Sequence, residues 1–206
     1  MVNLESIPSP TQDDLEILAK TALLKDFYLA GGTGLATYLN HRDSIDLDFF
    51  SLHEFNENQL VAELAQAGTF ALSVKEQGTV SGSFRETLVS FFHYPYPLLE
   101  KPVETRNVSI ASIRDIACMK LDAASSRGTK KDFIDLYCIV HMTNHALPEL
   151  LVSFSQKFAI IKYNLMHIKK SLLYFADAEQ DPMPLMRMPL AWETVRTFFE
   201  KEVPKL

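Results

Sequence analysis

The stretch Ile45-Asp46-Leu47-Asp48-Phe49-Phe50 alternates apolar and acidic side chains and ends in two aromatic residues. Successive side chains of a β-strand point to opposite faces of a sheet, so this pattern predicts a strand from Ile45 to Phe50. Its apolar side chains, Ile45 among them, enter the core, whereas Asp46 and Asp48 emerge together on the other face. Two close carboxylates repel each other unless a cation joins them, and Mg²⁺ prefers oxygen ligands. The stretch predicts a metal-binding aspartate pair, although the polar face of an edge strand would give the same pattern.

A glycine turn precedes this strand. A short strand candidate, Phe27 to Ala30, leads into Gly31-Gly32-Thr33 and then into a short helix. Glycine lets the backbone approach a phosphate closely, and a helix N-terminus offers unpaired amides. Nucleotidyl transfer needs such a phosphate cradle beside a metal site, because its catalysis is largely charge neutralisation and positioning. An ordinary tight turn would also explain the two glycines.

The remaining chain divides into a mixed first half and a helical second half. We predict helices from near Thr11 and over Glu57 to Gln66, strands over 69–76, 78–94 and Val103 to Ser109, and a helical region from Ser112 to about Phe175, with breaks near Gly128 and Pro148 and a last helix over Ala191 to Lys201. The expected fold class is α+β, with a mixed sheet and flanking helices in residues 1–110. A helical region then covers residues 111–206.

Composition narrows the class of protein. Of the 206 residues, 47% are hydrophobic and 22% are charged, as in an ordinary soluble globular protein. The net charge of −6 argues against nonspecific nucleic-acid binding by the whole surface.

Cys118 and Cys138 lie among apolar or helical residues and predict buried free thiols rather than a zinc site. Neither a signal peptide nor an apolar run of the ~18 residues that span a bilayer is visible, which favours a cytoplasmic protein.

A second group of charged residues lies in the helical half. In Lys131-Asp132-Phe133-Ile134-Asp135, the i and i+4 spacing predicts Lys131 and Asp135 on one helix face, with Asp132 beside them. A surface salt bridge at the start of a helix would have the same spacing.

Basic residues surround this motif. Lys120, Arg127, Lys130 and Lys131 form a local basic group that would suit a triphosphate or an RNA backbone, or simply a solvated helix–turn face. Arg42, just before the aspartate strand, is a further candidate for a phosphate contact.

Several separate blocks of the chain resemble the AbiEii/AbiGii toxin family, which belongs to the nucleotidyltransferase superfamily related to DNA polymerase beta. The superfamily pattern is a Gly-Gly or Gly-Ser turn, about ten residues, and then Asp-x-Asp. The blocks that carry the resemblance are Phe27–Ala36, His41–Ser51, Val89–Leu99, Lys120–Ala123 and Arg127–Tyr137. The resemblance covers roughly residues 20–140, and the last block contains the family's Lys-Asp-x-x-Asp motif.

The resemblance implies a Mg²⁺-dependent enzyme that transfers a nucleoside monophosphate from a nucleoside triphosphate to a hydroxyl. The implied acceptor is RNA, in particular a tRNA 3′ end, and the implied partner is an antitoxin protein. The expected roles are as follows: Asp46 and Asp48 bind the metal and are catalytic, Lys131 neutralises charge, and phosphate or substrate is bound by Gly31, Gly32, Thr33, Arg42, Lys120 and Asp135. The general base stays unassigned, with Asp132 as the first candidate and Glu86 as the weaker one.

One position departs from the superfamily pattern. Its classical members carry a third carboxylate on a later strand, but Ser90 stands near that position here, and Glu86 is the only acid in the segment. This departure keeps open a second interpretation, a nucleotide-binding interaction protein with the same fold and little catalysis. Adenylylation of a small molecule is a third interpretation that shares the core motif.

Overall fold

The computed structural model describes residues 2–161 and 163–206. The chain forms two compact units. The first comprises the residues up to Tyr38 together with Asp43–Ser112, and the second comprises Leu39–Arg42 and Ile113–Leu206. The segment Leu39–Arg42 therefore belongs to the second unit, although the chain on either side of it belongs to the first.

The first unit is built on a mixed sheet. Its helices and strands are α1 (Ser9–Ala19), β1 (Tyr28–Leu29), α2 (Gly31–Leu39), β2 (Leu47–Ser51), α3 (Glu57–Ala67), β3 (Phe70–Glu76), β4 (Thr79–Phe84), β5 (Thr87–His93), β6 (Val103–Thr105) and β7 (Val108–Ile110). The sheet has the order β3-β4-β5-β2-β1-β7-β6. Strand β2 runs parallel to β5 and antiparallel to β1, which in turn runs parallel to β7. The expected mixed sheet with flanking helices is confirmed.

One face of the sheet forms the core of the first unit. Leu47 and Phe49 on β2 and Val89 and Phe91 on β5 are buried there. The rings of Phe49 and Phe91 stack with their centroids 5.0 Å apart. Burying an apolar side chain of this size contributes roughly 1.5–3 kcal/mol, so this alternation holds β2 firmly in register. It also turns Asp48 to the opposite face.

The aspartate strand begins two residues later than predicted. Ile45 is 59% exposed instead of entering the core, and β2 starts at Leu47. The hydroxyl of Thr11 donates to the backbone carbonyl of Ile45, and that of Thr33 donates to the carbonyl of Asp46. Because side-chain hydroxyls occupy these carbonyls, the chain before Leu47 is a loop rather than a strand.

Two predicted strands are hairpins. The segment 78–94 contains β4 and β5, with Arg85 at a φ of 54° in the turn between them. The segment Val103 to Ser109 contains β6 and β7, joined by Arg106 and Asn107 at φ values of 46° and 62°. Arginine seldom adopts positive φ, so neither Arg85 nor Arg106 marks these turns in the sequence.

The second unit is helical, as predicted. Its helices are α4 (Ile113–Ser126), α5 (Lys130–Met142), α6 (Leu147–Lys157), α7 (Leu165–Ser171), α8 (Ala176–Gln180) and α9 (Trp192–Glu202). The break predicted near Gly128 lies between α4 and α5, and Gly128 has a φ of +55°. The other break precedes Pro148, because proline is tolerated in the first turn of a helix, where its missing N–H would have no intrahelical acceptor.

Cys118 and Cys138 are buried free thiols, and burial raises the pKa of both to about 12. Within residues 2–161 and 163–206, no helix combines the length and the apolar character needed to cross a membrane.

Candidate active site

The end of β1 and the start of α2 bring the glycine turn against the aspartate strand. Strand β1 pairs with β2, and the N–H of Ala30 donates to the backbone carbonyl of Asp48 at 3.0 Å. Gly31 then adopts a φ of +62°, a left-handed conformation that glycine adopts at little cost. A β-carbon at Gly31 would lie only 2.5 Å from Oδ2 of Asp48. The carboxylate of Asp48 therefore lies directly beside the first residue of α2.

The first turn of α2 can bind an anion next to this carboxylate. The first N–H groups of a helix have no intrahelical acceptors, and they carry the positive end of the helix dipole. In α2 these groups belong to Gly31, Gly32 and Thr33. Their position suits a phosphate group. The absence of a side chain at Gly31 makes room for the carboxylate of Asp48 beside this turn.

Thr33 contributes its hydroxyl to the loop rather than to solvent. The side chain is buried, donates to the carbonyl of Asp46 and is 2.9 Å from the hydroxyl of Ser44. This contact fixes the backbone of Asp46 against the first turn of α2. Any phosphate contact of Thr33 is therefore left to its backbone N–H.

The side chains of Asp46 and Asp48 are both half-buried. They fit a magnesium ion, because Mg²⁺ is typically bound by one or two carboxylates together with substrate phosphates and water. Throughout the described part of the chain, no cluster of three or more His, Cys, Asp or Glu residues suited to a metal is found. An ion at Asp46 and Asp48 would take its remaining ligands from substrate phosphates and water.

The neighbouring strand places a serine beside Asp48. In the parallel pairing of β2 with β5, Asp48 is opposite Ser90, which is half-buried on the same sheet face. The register thus confirms that Ser90 lies close to the aspartate strand. Glu86 is exposed in the turn before β5, four residues ahead of Ser90. The side chain paired with Asp48 across these two strands is therefore a hydroxyl rather than a carboxylate.

The Lys-Asp-x-x-Asp motif forms the first turns of α5, within the second unit. Asp132 is fully buried, and both of its oxygens accept hydrogen bonds. Lys120 lies 3.0 Å from Oδ1, Arg127 donates to both oxygens, and the hydroxyl of Thr129 is 2.7 Å from Oδ2. This placement differs from the predicted role of Asp132 as a general base, because solvent does not reach the carboxylate and its lone pairs are already used. It favours a structural role.

Asp135 is buried in the same ion-pair cluster as Asp132, because Lys120 contacts both carboxylates. Its carboxylate binds Arg42 through two hydrogen bonds of 2.7 and 2.8 Å, and it also contacts Nε2 of His41 at 2.8 Å and Nζ of Lys120 at 2.7 Å. Arg42, Lys120 and Asp135 were predicted to bind substrate phosphate. Here they bind one another, out of contact with solvent.

The pKa values in this cluster reflect its charge balance. Burial alone would raise the pKa of Asp135, but Lys120 and Arg42 outweigh it and hold that pKa well below its usual range. Burial also opposes ionisation of Asp132, yet Lys120 and Arg127 lower its pKa to about 2. Burial lowers the pKa of Lys120, and the two aspartates more than offset this. All three groups therefore stay charged at neutral pH.

Lys131 differs from its neighbours in the motif. It is exposed, and among the described residues it has no ion-pair partner. Consecutive helix positions point in different directions, so Lys131 faces solvent while Asp132 enters the interior. The motif therefore contains one accessible cation and two buried carboxylates, rather than a single charged face.

His41 is a member of the cluster that the sequence did not reveal. Its ring is fully buried, and its backbone carbonyl accepts from the N–H of Arg187 at 2.9 Å. The histidine and Asp135 are 94 positions apart, and no local pattern signals such a contact.

Comparison with known proteins agrees with this architecture. A family model described as "Nucleotidyl transferase AbiEii toxin, Type IV TA system" matches residues 13–95 and 79–205. An uncharacterised protein from Aquifex aeolicus (strain VF5) is 33% identical over 204 residues, which cover 97% of each chain.

Solved structures share the fold at lower identity. JHP933 from Helicobacter pylori is 17% identical with a TM-score of 0.54, covering 96% of this chain and 92% of that one. MenT4, a nucleotidyltransferase toxin from Mycobacterium tuberculosis H37Rv, is 16% identical with a TM-score of 0.54, covering 95% of this chain and 85% of that one. With the family model matched along nearly its whole length, this chain belongs to the AbiEii family of nucleotidyltransferase toxins.

Proposed function

We propose that the protein transfers a nucleoside monophosphate from a nucleoside triphosphate to a hydroxyl of RNA, most specifically at a tRNA 3′ end. The observation that carries this proposal is the contact between the Asp48 carboxylate and the start of α2 at Gly31. It joins a site for a cation to a site for phosphate, and nucleotidyl transfer requires both. The acceptor hydroxyl attacks the α-phosphorus, and the bond to the pyrophosphate oxygen breaks.

The roles follow from the accessibility of each residue. Asp46 and Asp48 would hold Mg²⁺, which neutralises phosphate charge and makes a bound hydroxyl easier to deprotonate. The N–H groups at Gly31, Gly32 and Thr33 would bind the phosphates that leave as pyrophosphate. The exposed Lys131 would add a positive charge.

The toxin role is supported by the family, whose description names a type IV toxin–antitoxin system, and RNA as the acceptor is part of our proposal. MenT4 is likewise described as a nucleotidyltransferase toxin. By analogy, this protein would act in the cytoplasm, where triphosphates and tRNA are found, and a cognate antitoxin protein would oppose it.

Ser90 favours a second candidate function, nucleotide binding with little catalysis. A hydroxyl beside Asp48 is a weaker ligand for a second metal ion than the carboxylate found at this position in classical members of the superfamily. Under this candidate the protein would bind Mg²⁺ and a triphosphate and act through a partner.

One experiment separates the two functions. The purified protein is incubated with Mg²⁺, each α-³²P-labelled triphosphate and total tRNA, and binding of each triphosphate is measured by calorimetry. Label in tRNA that depends on Mg²⁺ supports the enzyme. Binding without any transfer of label supports the interaction protein and excludes the enzyme on these acceptors.

A further inference from the structure

The sheet face that carries Asp48 also carries aromatic side chains. On β2, Phe50 lies two residues beyond Asp48, and on β5, Phe92 lies two residues beyond Ser90. Residues i and i+2 of a strand share a face, so Asp48 and Ser90 form one pair and Phe50 and Phe92 form the next. The two pairs are about 7 Å apart, from the rise of a strand.

The rings form one continuous strip. The centroids of Phe50 and Phe92 are 5.3 Å apart, Tyr94 meets Phe50 edge-on at 5.4 Å, and Tyr96 lies 4.7 Å from Tyr94. We call Phe50, Phe92, Tyr94 and Tyr96 the aromatic strip. All four are half-buried, in contrast to the fully buried rings of the core face. Adjacent large rings that solvent reaches indicate a binding surface.

The strip lies on the acceptor side of the proposed site. In an in-line displacement, the attacking and leaving oxygens lie on opposite sides of phosphorus. The hydrogen bond from Thr33 to the carbonyl of Asp46 puts the phosphate cradle at the start of β2. Pyrophosphate would leave towards that end. The attacking hydroxyl would then approach from the direction in which β2 and β5 continue, which is towards Phe50 and Phe92.

We propose that the aromatic strip stacks the 3′-terminal base of the RNA acceptor, an inference that rests on the proposed function. Unpaired bases at RNA ends are commonly bound by stacking on aromatic side chains, and each stacked base contributes about 1–3 kcal/mol. The net charge of −6 gives the whole surface little attraction for RNA phosphates. Stacking next to Asp48 supplies affinity that does not depend on net charge.

The test combines a Phe92→Leu variant with two acceptors: an intact tRNA transcript, and the same tRNA with an abasic 3′-terminal nucleotide that retains its hydroxyls. With the intact tRNA, the variant should raise KM for tRNA about tenfold and leave KM for the triphosphate unchanged. The wild-type protein should show a similar rise with the abasic tRNA. The variant should show no further rise with it, because both changes remove the same contact.

Two controls accompany this comparison. Phe92→Trp keeps an aromatic face and should restore the tRNA KM. Phe70→Leu removes a half-buried ring from the opposite face of the same sheet, where Phe70 packs against the core, and should change neither KM. Thermal melting reports whether each variant folds, while the abasic tRNA tests the wild-type protein without any substitution.

Three results would overturn the inference. The first is an unchanged tRNA KM in a folded Phe92→Leu protein, and the second is full additivity of the effects of Phe92→Leu and the abasic 3′ end. The third is a rise in the triphosphate KM alone, which would mean that the aromatic strip binds the base of the incoming nucleotide. Fluorescence anisotropy with both tRNAs separates this inference from the proposed function. Tighter binding of the intact tRNA without any transfer of label overturns only the enzyme assignment. Equal binding of both tRNAs overturns the proposal that the aromatic strip stacks the 3′-terminal base.

Discussion

The protein contains two pairs of closely spaced aspartates in opposite environments. Asp46 and Asp48 are half-buried beside the first turn of a helix on a sheet face, whereas Asp132 and Asp135 are fully buried among basic side chains. Buried charges require partners, and the second pair has them within its own unit. The first pair is accessible to a ligand. The depth of burial, rather than the motif itself, separates a candidate ligand site from an internal ion-pair cluster.

The largest effect is expected at the first pair. Asp46→Asn and Asp48→Asn should each reduce transfer by at least about a thousandfold, because a lost metal ligand removes several kcal/mol of transition-state stabilisation. Neither variant should lose stability, since removing one charge relieves repulsion and opens no cavity. The measurements are initial rates of label transfer and thermal melting.

Melting curves with added Mg²⁺ supply a readout that is independent of activity. The ion should raise the melting temperature of the wild-type protein and should have a smaller effect on either variant, because a ligand of the native state stabilises it. Full activity in both variants, or a rise in melting temperature with Mg²⁺ identical to that of the wild-type protein, would mean that Asp46 and Asp48 do not bind the metal.

The second pair should show the reverse behaviour. Asp135→Ala should destabilise the protein by about 3–5 kcal/mol, because it removes the buried carboxylate that pairs with both Arg42 and Lys120. Urea denaturation measures the change. Asp177→Ala is a matched control in the same unit, since Asp177 is exposed, and should cost less than about 1 kcal/mol. A fully stable Asp135→Ala protein that binds triphosphate poorly would instead make Asp135 a substrate ligand.

Local patterns in the sequence predicted much of the backbone structure around Asp48. Alternation in 47–50 fixed which face Asp48 occupies, and the glycine turn predicted the start of a helix. The family pattern also directed attention to Ser90, and the strand register confirms its position. These features depend on neighbours in sequence or on a single strand pairing.

The internal cluster could not be predicted in the same way. Arg42 and Asp135 are 93 positions apart, and their ion pair leaves no periodic signal. The spacing of Lys131 and Asp135 suggested one shared face, but spacing along a helix does not say which residues face the interior. Tertiary packing buried Asp132 and Asp135 and left Lys131 in solvent.

An intermediate effect is expected from the titration of Asp132. Its pKa falls from 3.8 to about 2 on folding, so its stabilising effect is present above about pH 4 and is lost as the pH falls towards 2. The difference corresponds to about 2 kcal/mol at neutral pH. Asp132→Asn should therefore lower the free energy of unfolding by about that amount at pH 7, and the two curves should converge near pH 2.

Urea denaturation at a series of pH values measures this convergence. A constant gap between the curves down to pH 2 would mean that Asp132 stabilises the protein through packing rather than through its charge. Unchanged stability of Asp132→Asn together with slower transfer would instead indicate that Asp132 acts as the general base.

The smallest effect is expected at Lys131, the exposed residue of a motif whose two aspartates are buried. A triphosphate with bound Mg²⁺ remains anionic, and an exposed cation near it contributes about 1 kcal/mol in water. Lys131→Ala should therefore raise KM for the triphosphate about fivefold, with less effect at high salt because exposed charges are screened. Stability should change by less than about 0.5 kcal/mol. Lys131→Arg should keep the wild-type KM, and Lys170→Ala, which removes another exposed charge, on α7, should leave it unchanged. Equal effects of Lys131→Ala and Lys170→Ala on the triphosphate KM would mean that Lys131 acts only through the net charge of the protein. A marked loss of stability in Lys131→Ala would instead mean that Lys131, like Asp132 and Asp135, has a structural role.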